Sequence, residues 1–389
     1  MNPFTFSAVA KLHVEVGAAI HLVSHCERFA ARRVLVVTDA GIIRAGLLID
    51  TVTEFANQDV QLCVFDKVEA DPSEATVLQA VDVAKAQEVD VVIGFGGGSA
   101  MDVAKLVAVL AHRDNQQSLA DMYGVDQLSG PRLPLIQVPT TAGTGSEVTP
   151  IAIITTGGTT KAGVVSSTLL PDVAVLDANL TRGLPAHVTA ATGIDAMVHA
   201  IEAFTSKVKK NPISDMFALE ALRLLSDSVR VAVKDGNDLQ AREKALLGAN
   251  LAGQAFANAP VAAVHALAYP LGGHFHIPHG LSNALVLPHV MRFNLPACAT
   301  AYAQLAEVMI PAQVQAEMDH EAKANTLIDW LAELVTECGL PDTLSDCNVP
   351  QSSLAALAGD AMLQQRLLIN NPREVTEQDA LAIYQAAYQ

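Results

Sequence analysis

Cysteine is scarce in this chain, with five among 389 residues (Cys26, Cys63, Cys298, Cys338 and Cys347) and none in C-x2-C spacing. An odd, scattered set excludes a disulfide framework and a thiolate metal cluster, and is expected of a reduced, cytoplasmic protein without thiol redox chemistry. Positive charge is short as well: 24 Lys and Arg stand against 41 Asp and Glu, a formal net charge of −17. Nucleic-acid and anionic-membrane surfaces need clustered basic residues. The one tight cluster, Lys207 to Lys210, reads as a solvated helix end. No apolar run approaches the roughly 18 residues needed to span a bilayer, and the N-terminus lacks the charged-then-apolar order of a signal peptide. No membrane or nucleic-acid partner is expected.

What is abundant is core material. Hydrophobic residues make up 51% and charged ones 17%, enough for two or three domains with large buried interiors. In the first 180 residues short β-branched runs at 34–38 (VLVVT), 60–65, 89–93 and 135–138 alternate with helical stretches at 75–88 and 100–112. Such alternation predicts a parallel sheet covered on both faces. Runs at 151–154 and 173–176 either extend that sheet or add a hairpin. Beyond position 177 the texture turns to Ala, Leu, Glu and Gln, with Gly and Pro at helix boundaries (183–185 and 339–341). The expected partition is an α/β, Rossmann-like dinucleotide-binding domain over 1–180 and an all-α domain over 181–389, with the cleft between them as the default site.

Two loops carry a cofactor signal. The segment VDVVIGFGGGS (89–99) reads as strand, glycine-rich turn and helix start. Gly96, Gly97 and Gly98 let the backbone approach a ligand, and free amides with the helix dipole favour a pyrophosphate. The usual G-x-G-x-x-G fingerprint is not met, because Ser99 stands at its third glycine position. The segment PTTAGTGSE (139–147) also follows a strand; hydroxyls such as those of Thr140, Thr141 and Thr144 either grip ribose and phosphate oxygens or satisfy the turn itself. Asp39 closes the VLVVT strand, where a carboxylate either receives a ribose diol and disfavours a 2′-phosphate, or caps a helix.

The metal signal is spread more widely. Asp195 and His199 are four apart and share one face of a helix. The stretch 264–289 holds five of the twelve histidines, among them His265 in an apolar helix and His279 in a Pro-His-Gly turn. Each has a bland alternative, a helix hydrogen-bond pair or a satisfied core histidine, but one divalent ion would satisfy all four together. A carboxylate with three imidazoles suits Fe(II) or Zn(II). His274 and His276 flank a turn, and His274 is carried as a weaker catalytic candidate beside the alternative of exposed loop histidines.

Taken together these segments resemble the iron-dependent (group III) alcohol dehydrogenase family, which includes lactaldehyde reductases and propanediol dehydrogenases. The resemblance runs the whole length, through GGGSAMDVAK (96–105), the threonine loop, GIDAMVHAIE (193–202), HALAYPLG (265–272), PHG (278–280) and NNPR (370–373). It implies a dehydroquinate synthase-like fold, metal ligands at Asp195, His199, His265 and His279, and cofactor contacts at Asp39, Gly97, Gly98, Ser99, Asp102, Thr140, Thr141, Thr149 and Lys161. It also implies a homodimer or larger homo-oligomer. Two positions depart from the family pattern. Tyr269 stands where many relatives carry a proton-moving histidine; a phenol passes a proton, but with a pKa near ~10 it is a poorer base. Asp71-Pro-Ser73 replaces a common Asn-Pro-Thr on the expected adenine-ribose side.

The implied reaction interconverts a small primary alcohol or diol and its aldehyde by hydride transfer with NAD(H). Phe256 is expected to line the substrate cleft. A metal-free enzyme like maleylacetate reductase shares the fold but lacks a full ligand set. A zinc-dependent cyclase like dehydroquinate synthase would need a basic phosphate-binding cluster, and a silent NAD-binding scaffold would not need the ligands.

Overall fold

The computed structural model describes residues 3–157 and 160–389. They form two compact units, Ser7–Gly183 and Leu184–Gln389, the latter joined by the N-terminal residues up to Phe6.

The unit Ser7–Gly183 is built on a six-stranded sheet in which every pairing is parallel. Its strands are β1 (Lys11–Val14), β2 (Arg33–Val37), β3 (Gln61–Phe65), β4 (Val91–Gly96), β6 (Leu135–Pro139) and β9 (Val173–Leu176), in the order β1-β9-β6-β4-β2-β3. A smaller sheet, β5-β8-β7, takes Gly124–Val125, Thr160–Val165 and Ile151–Thr156. Helices α1 (Leu22–Glu27), α2 (Ala40–Arg44), α3 (Ile49–Asn57), α4 (Glu74–Ala86) and α5 (Gly98–Leu110) follow strands or connect them. Side chains alternate across a pleat, so β2 serves two cores at once. Val34 and Val36 pack with Leu22 and Phe55 on one face. Leu35 and Val37 pack with Val77, Val81 and Leu106 on the other. Burial on both faces is why these strands read as continuous apolar runs.

The two ambiguous runs part company. Residues 151–156 form an antiparallel hairpin with β8 in the small sheet, whereas 173–176 insert into the main sheet between β1 and β6. Strand β1, with its polar, half-exposed KLHV sequence, carries no apolar run and was not anticipated. The strand expected at 89–93 instead spans Val91–Gly96, running into the glycines because Gly94 leaves room for Gln137 on the neighbouring strand. A Cβ there would stand 2.0 Å from the Gln137 amide oxygen.

The chain moves outward from β2 to β3, crosses back to β4 and then proceeds the other way through β6 and β9. The order therefore reverses between β2 and β4, and their carboxyl ends are where a doubly wound sheet leaves a crevice for ligand. Asp39 follows β2, and the glycine turn ends β4.

The unit from Leu184 onward is helical. Among the described residues it holds α6 (Ala186–Thr205), α7 (Pro212–Lys234), α8 (Leu239–Asn258), α9 (Ala263–Phe275), α10 (His279–Met309), α11 (His320–Glu337), α12 (Leu354–Ala361), α13 (Gln365–Leu368) and α14 (Glu377–Tyr388). Local chemistry sets their starts. Asn211 caps α7 ahead of Pro212, Asp238 caps α8, Asp319 caps α11, and Thr376 with Asp379 forms a capping box on α14. Helix α6 is buried along most of its length. The NNPR segment braces this unit from within. Asn371 and Asn294 exchange amide hydrogen bonds at 2.8 and 3.0 Å, and Asn370 donates to the Val261 carbonyl at 3.0 Å, just ahead of α9. Among the described residues no helix is long and apolar enough to cross a membrane.

Candidate metal centre and dinucleotide site

Three helices of the second unit bring Asp195, His199, His265 and His279 together. One ligand atom from each lies within 4.8 Å of all the others, and it is the one such group among the described residues. Asp195 and His199 come from successive turns of α6, His265 from the first turn of α9, and His279 is the first residue of α10. The Asp195 Oδ1 atom is the hub, at 3.6, 3.9 and 4.0 Å from the Nε2 atoms of His279, His265 and His199. Ligand atoms sharing one ion at bonds of ~2.1 Å stand roughly 3–4 Å apart, so this donor set fits a borderline divalent cation.

Packing explains the convergence. A Cβ on Gly280 would meet the Ala191 carbonyl oxygen at 2.3 Å and Asp195 Cβ at 3.3 Å. Only glycine lets the start of α10 lie this close to α6 and deliver His279 beside Asp195. His199 is stacked between Phe256 (centroids 4.4 Å apart) and His265 (4.8 Å). Phe256, expected to line the substrate cleft, is buried as a backing plate for this ligand.

Glu202, one turn beyond His199 on α6, escaped the sequence reading. It is buried and accepts hydrogen bonds from Val264 N at 2.7 Å and His265 Nδ1 at 2.6 Å. That bond holds the His265 proton on Nδ1 and leaves the Nε2 lone pair aimed at the cluster. The signal was present, since Asp195, His199 and Glu202 recur at helical spacing, but its partner lies 63 residues away. Burial alone would raise the Asp195 carboxyl; His199, His279 and His265, with a hydrogen bond from Asn283, reverse this and hold it below the ordinary carboxylate range. Three of the four ligand side chains are buried, while His279 is 43% exposed. The group is therefore shielded from solvent at Asp195, His199 and His265 and reachable at His279.

Tyr269 lies on α9, its ring centroid 5.9 Å from that of His279. His274 is not brought into the group: its Nε2 atom is bonded to Asp360 of α12 at 2.5 Å, and it is half exposed.

In the first unit the two loops meet at the carboxyl ends of adjacent strands. Gly96 pairs with Pro139 across β4 and β6, and Thr140 N donates to Gly96 O at 2.9 Å. Gly96 has φ 155°, in the region that favours glycine; a Cβ there would stand 2.8 Å from Ala100 Cβ and 3.5 Å from Asp39 Oδ2. Gly98 packs on Thr144, whose Cγ2 would be 2.9 Å from an added Cβ, whereas Gly97 has only Thr141 near it at 3.8 Å. Ser99 lies in the first turn of α5. Asp39 Oδ1 caps α2 through Gly41 N and Ile42 N at 2.7 and 3.1 Å.

Other expected contacts are engaged within the protein. Asp102 accepts from Ser146 Oγ at 2.6 Å and Ile153 N at 2.9 Å. Thr149 Oγ1 accepts from Lys105 at 3.2 Å. Lys161 pairs with Asp71 and reaches Thr155 Oγ1 at 3.3 Å. Lys105, which the sequence reading passed over, is fully buried and also donates to Ser146 Oγ at 2.8 Å and Ile151 O at 2.6 Å. Burial lowers its pKa against the pull of Asp102 and Glu147. It ties α5 to the far end of the threonine loop.

Comparison with known proteins matches two family models: iron-containing alcohol dehydrogenase over residues 10–178, and the C-terminal part of the Fe-containing alcohol dehydrogenase family over residues 189–388. Long-chain-alcohol dehydrogenase 1 of Geobacillus thermodenitrificans is 43% identical over 380 residues, 97% of this chain and 94% of that protein. A crystal structure of a 1,3-propanediol oxidoreductase superposes with TM-score 0.95 at 34% identity, covering 100% of both chains. A sulfoacetaldehyde reductase from Bifidobacterium kashiwanohense, solved in complex with NAD+, superposes with TM-score 0.88 at 28% identity, covering 100% of this chain and 99% of that one.

Proposed function

The chain belongs to the iron-containing alcohol dehydrogenase family, and from that premise we propose an NAD-dependent enzyme of small primary alcohols or diols and their aldehydes. At the level of the family, the reaction is metal-dependent interconversion of an alcohol and its aldehyde, with hydride exchanged with NAD(H). The observation that carries the reading is the convergence of one carboxylate and three imidazoles on a single point. Asp195, His199, His265 and His279 would hold the metal, which when bound supplies Lewis acidity toward the substrate oxygen. Glu202 orients His265, and Phe256 packs His199 in place.

The unit Ser7–Gly183 is proposed as the dinucleotide-binding domain and the helical unit as the metal and substrate domain. Gly96, Gly97, Gly98 and Ser99 would present backbone amides to a pyrophosphate, with Thr140, Thr141, Thr144, Thr149, Asp102 and Lys161 shaping or contacting that site. Asp39, with one carboxylate oxygen capping α2 and the other beside the turn, favours NAD over NADP. Tyr269 is proposed as the proton-passing group, whereas His274, tied to Asp360, stands outside the ligand group. A cytoplasmic homodimer or larger homo-oligomer is part of the same proposal. The relatives are named for alcohols or aldehydes of very different size, so the test spans a series of substrate lengths.

The test is direct. Protein loaded with Fe(II) or Zn(II) should form NADH from a series of primary alcohols and diols. Stoichiometric metal without turnover on any of them, or undiminished turnover after chelation, would overturn the proposal. Tyr269→Phe should lower kcat on the order of 10²-fold at neutral pH while metal content stays unchanged. An unaltered kcat would remove Tyr269 from the proton path.

A further inference from the structure

We infer that Asn283 is a positioning residue of the metal centre, its carboxamide holding the ligating oxygen of Asp195 in register with the imidazoles; this rests on the metal-dependent reading above. Asn283 lies on α10, one turn after His279, and is completely buried. Its Nδ2 atom donates to Asp195 Oδ1 at 2.6 Å and lies 3.3 Å from both His265 Nε2 and His279 Nε2. Three of the four ligand atoms thus surround one amide nitrogen, contributed by the helix that also carries His279. The accepting atom is the same oxygen that forms the hub of the cluster, so Asn283 sets which way that carboxylate faces.

The other end of the amide sharpens the point. Asn283 Oδ1 is buried with no hydrogen-bond partner among the described residues. A buried carbonyl without a protein partner is unfavourable, and an apolar side chain of the same size would avoid it. The residue is explained by what its NH2 end does: a charge-assisted bond to a buried carboxylate, of the kind that orients metal ligands and tunes their affinity.

The experiment compares metal affinity by chelator competition in wild type, Asn283→Ala, Asn283→Leu and Ser282→Ala. Ser282 is an equally buried neighbour whose hydroxyl bonds the Ile277 carbonyl at 3.2 Å, and it serves as the packing control. Both Asn283 variants should bind Co(II) or Zn(II) about 10- to 100-fold more weakly, with altered visible bands of the Co(II) protein. Ser282→Ala should keep wild-type affinity and spectrum. If Asn283→Ala does not fold, Asn283→Leu preserves the volume and decides alone. Wild-type affinity in a folded Asn283 variant overturns the inference, as does an equal loss in Ser282→Ala. A wild-type protein that binds no metal instead overturns the metal-dependent reading itself.

Discussion

The two candidate sites are made of different materials. In the unit Ser7–Gly183 the candidate site is largely a matter of backbone: glycines at strand ends, with room set by Ala100, Thr141 and Thr144 around them. In the helical unit it is side chains, four ligand groups from three helices with Glu202, Phe256 and Asn283 around them. A backbone site is local, and eleven consecutive letters, VDVVIGFGGGS, describe most of it. A side-chain site is assembled across 85 positions, from Asp195 to His279, and its supporting groups have no local signature.

The contrast predicts opposite sensitivities. The side-chain site should fail when atoms are removed. His265→Ala deletes a buried ligand and leaves the Glu202 carboxylate buried without its imidazole. Turnover should fall on the order of 10³-fold or more with loss of bound metal, while NAD binding, measured by fluorescence quenching, stays near wild type. Retained stoichiometric metal in that variant would show that His265 is not needed to hold the ion.

The backbone site should fail when atoms are added. Gly98→Ala places a methyl 2.9 Å from Thr144 Cγ2, and we expect NAD to bind roughly 10-fold more weakly with metal content unchanged. Because the Thr144 methyl is the one contact under 3.0 Å, with Oγ1 and Cβ at 3.2 and 3.3 Å, Gly98→Ala with Thr144→Ser should recover part of the affinity. A double variant no better than the single one would mean that the amide geometry, rather than the crowding, had been damaged.

The smallest effect concerns a histidine pair remote in sequence from either set. His25 is buried, hydrogen-bonded to His13 at 2.9 Å, and its pKa is lowered to about 4 by burial and by Lys11, His13 and Arg28. Its neutral form is the one the folded chain holds. The stability it confers is therefore present above the unfolded value of 6.5 and is lost as pH falls toward about 4. The loss is at most about 3 kcal/mol. Melting temperature should decline across that window more steeply in wild type than in His25→Gln; parallel curves would refute this assignment.

The legibility of the chain follows the same division. Strands β2, β4 and β6 were readable because burial on both faces demands unbroken apolar runs, whereas β1 was not, since an edge strand half open to solvent tolerates Lys11 and His13. Asp195 and His199 were readable as a pair from one helical turn, and His265 and His279 from their clustering. Glu202, Gly280 and Asn283 were not, although all three sit inside or next to motifs already singled out. Gly280 looks like any turn glycine until α6 is seen 2.3 Å from where its Cβ would be.

The amino-acid order alone made the architecture, the family and a candidate ligand group legible, because periodic burial, glycine-rich turns and clustered histidines leave patterns along the chain. Packing between helices settles which Asp195 oxygen is the hub, which His265 nitrogen Glu202 engages, and that Asn283 reaches three members of the group at once. Those are properties of distances between helices. Hydrogen bonds and metal coordination fall away within a fraction of an ångström, a scale that no spacing along the chain encodes.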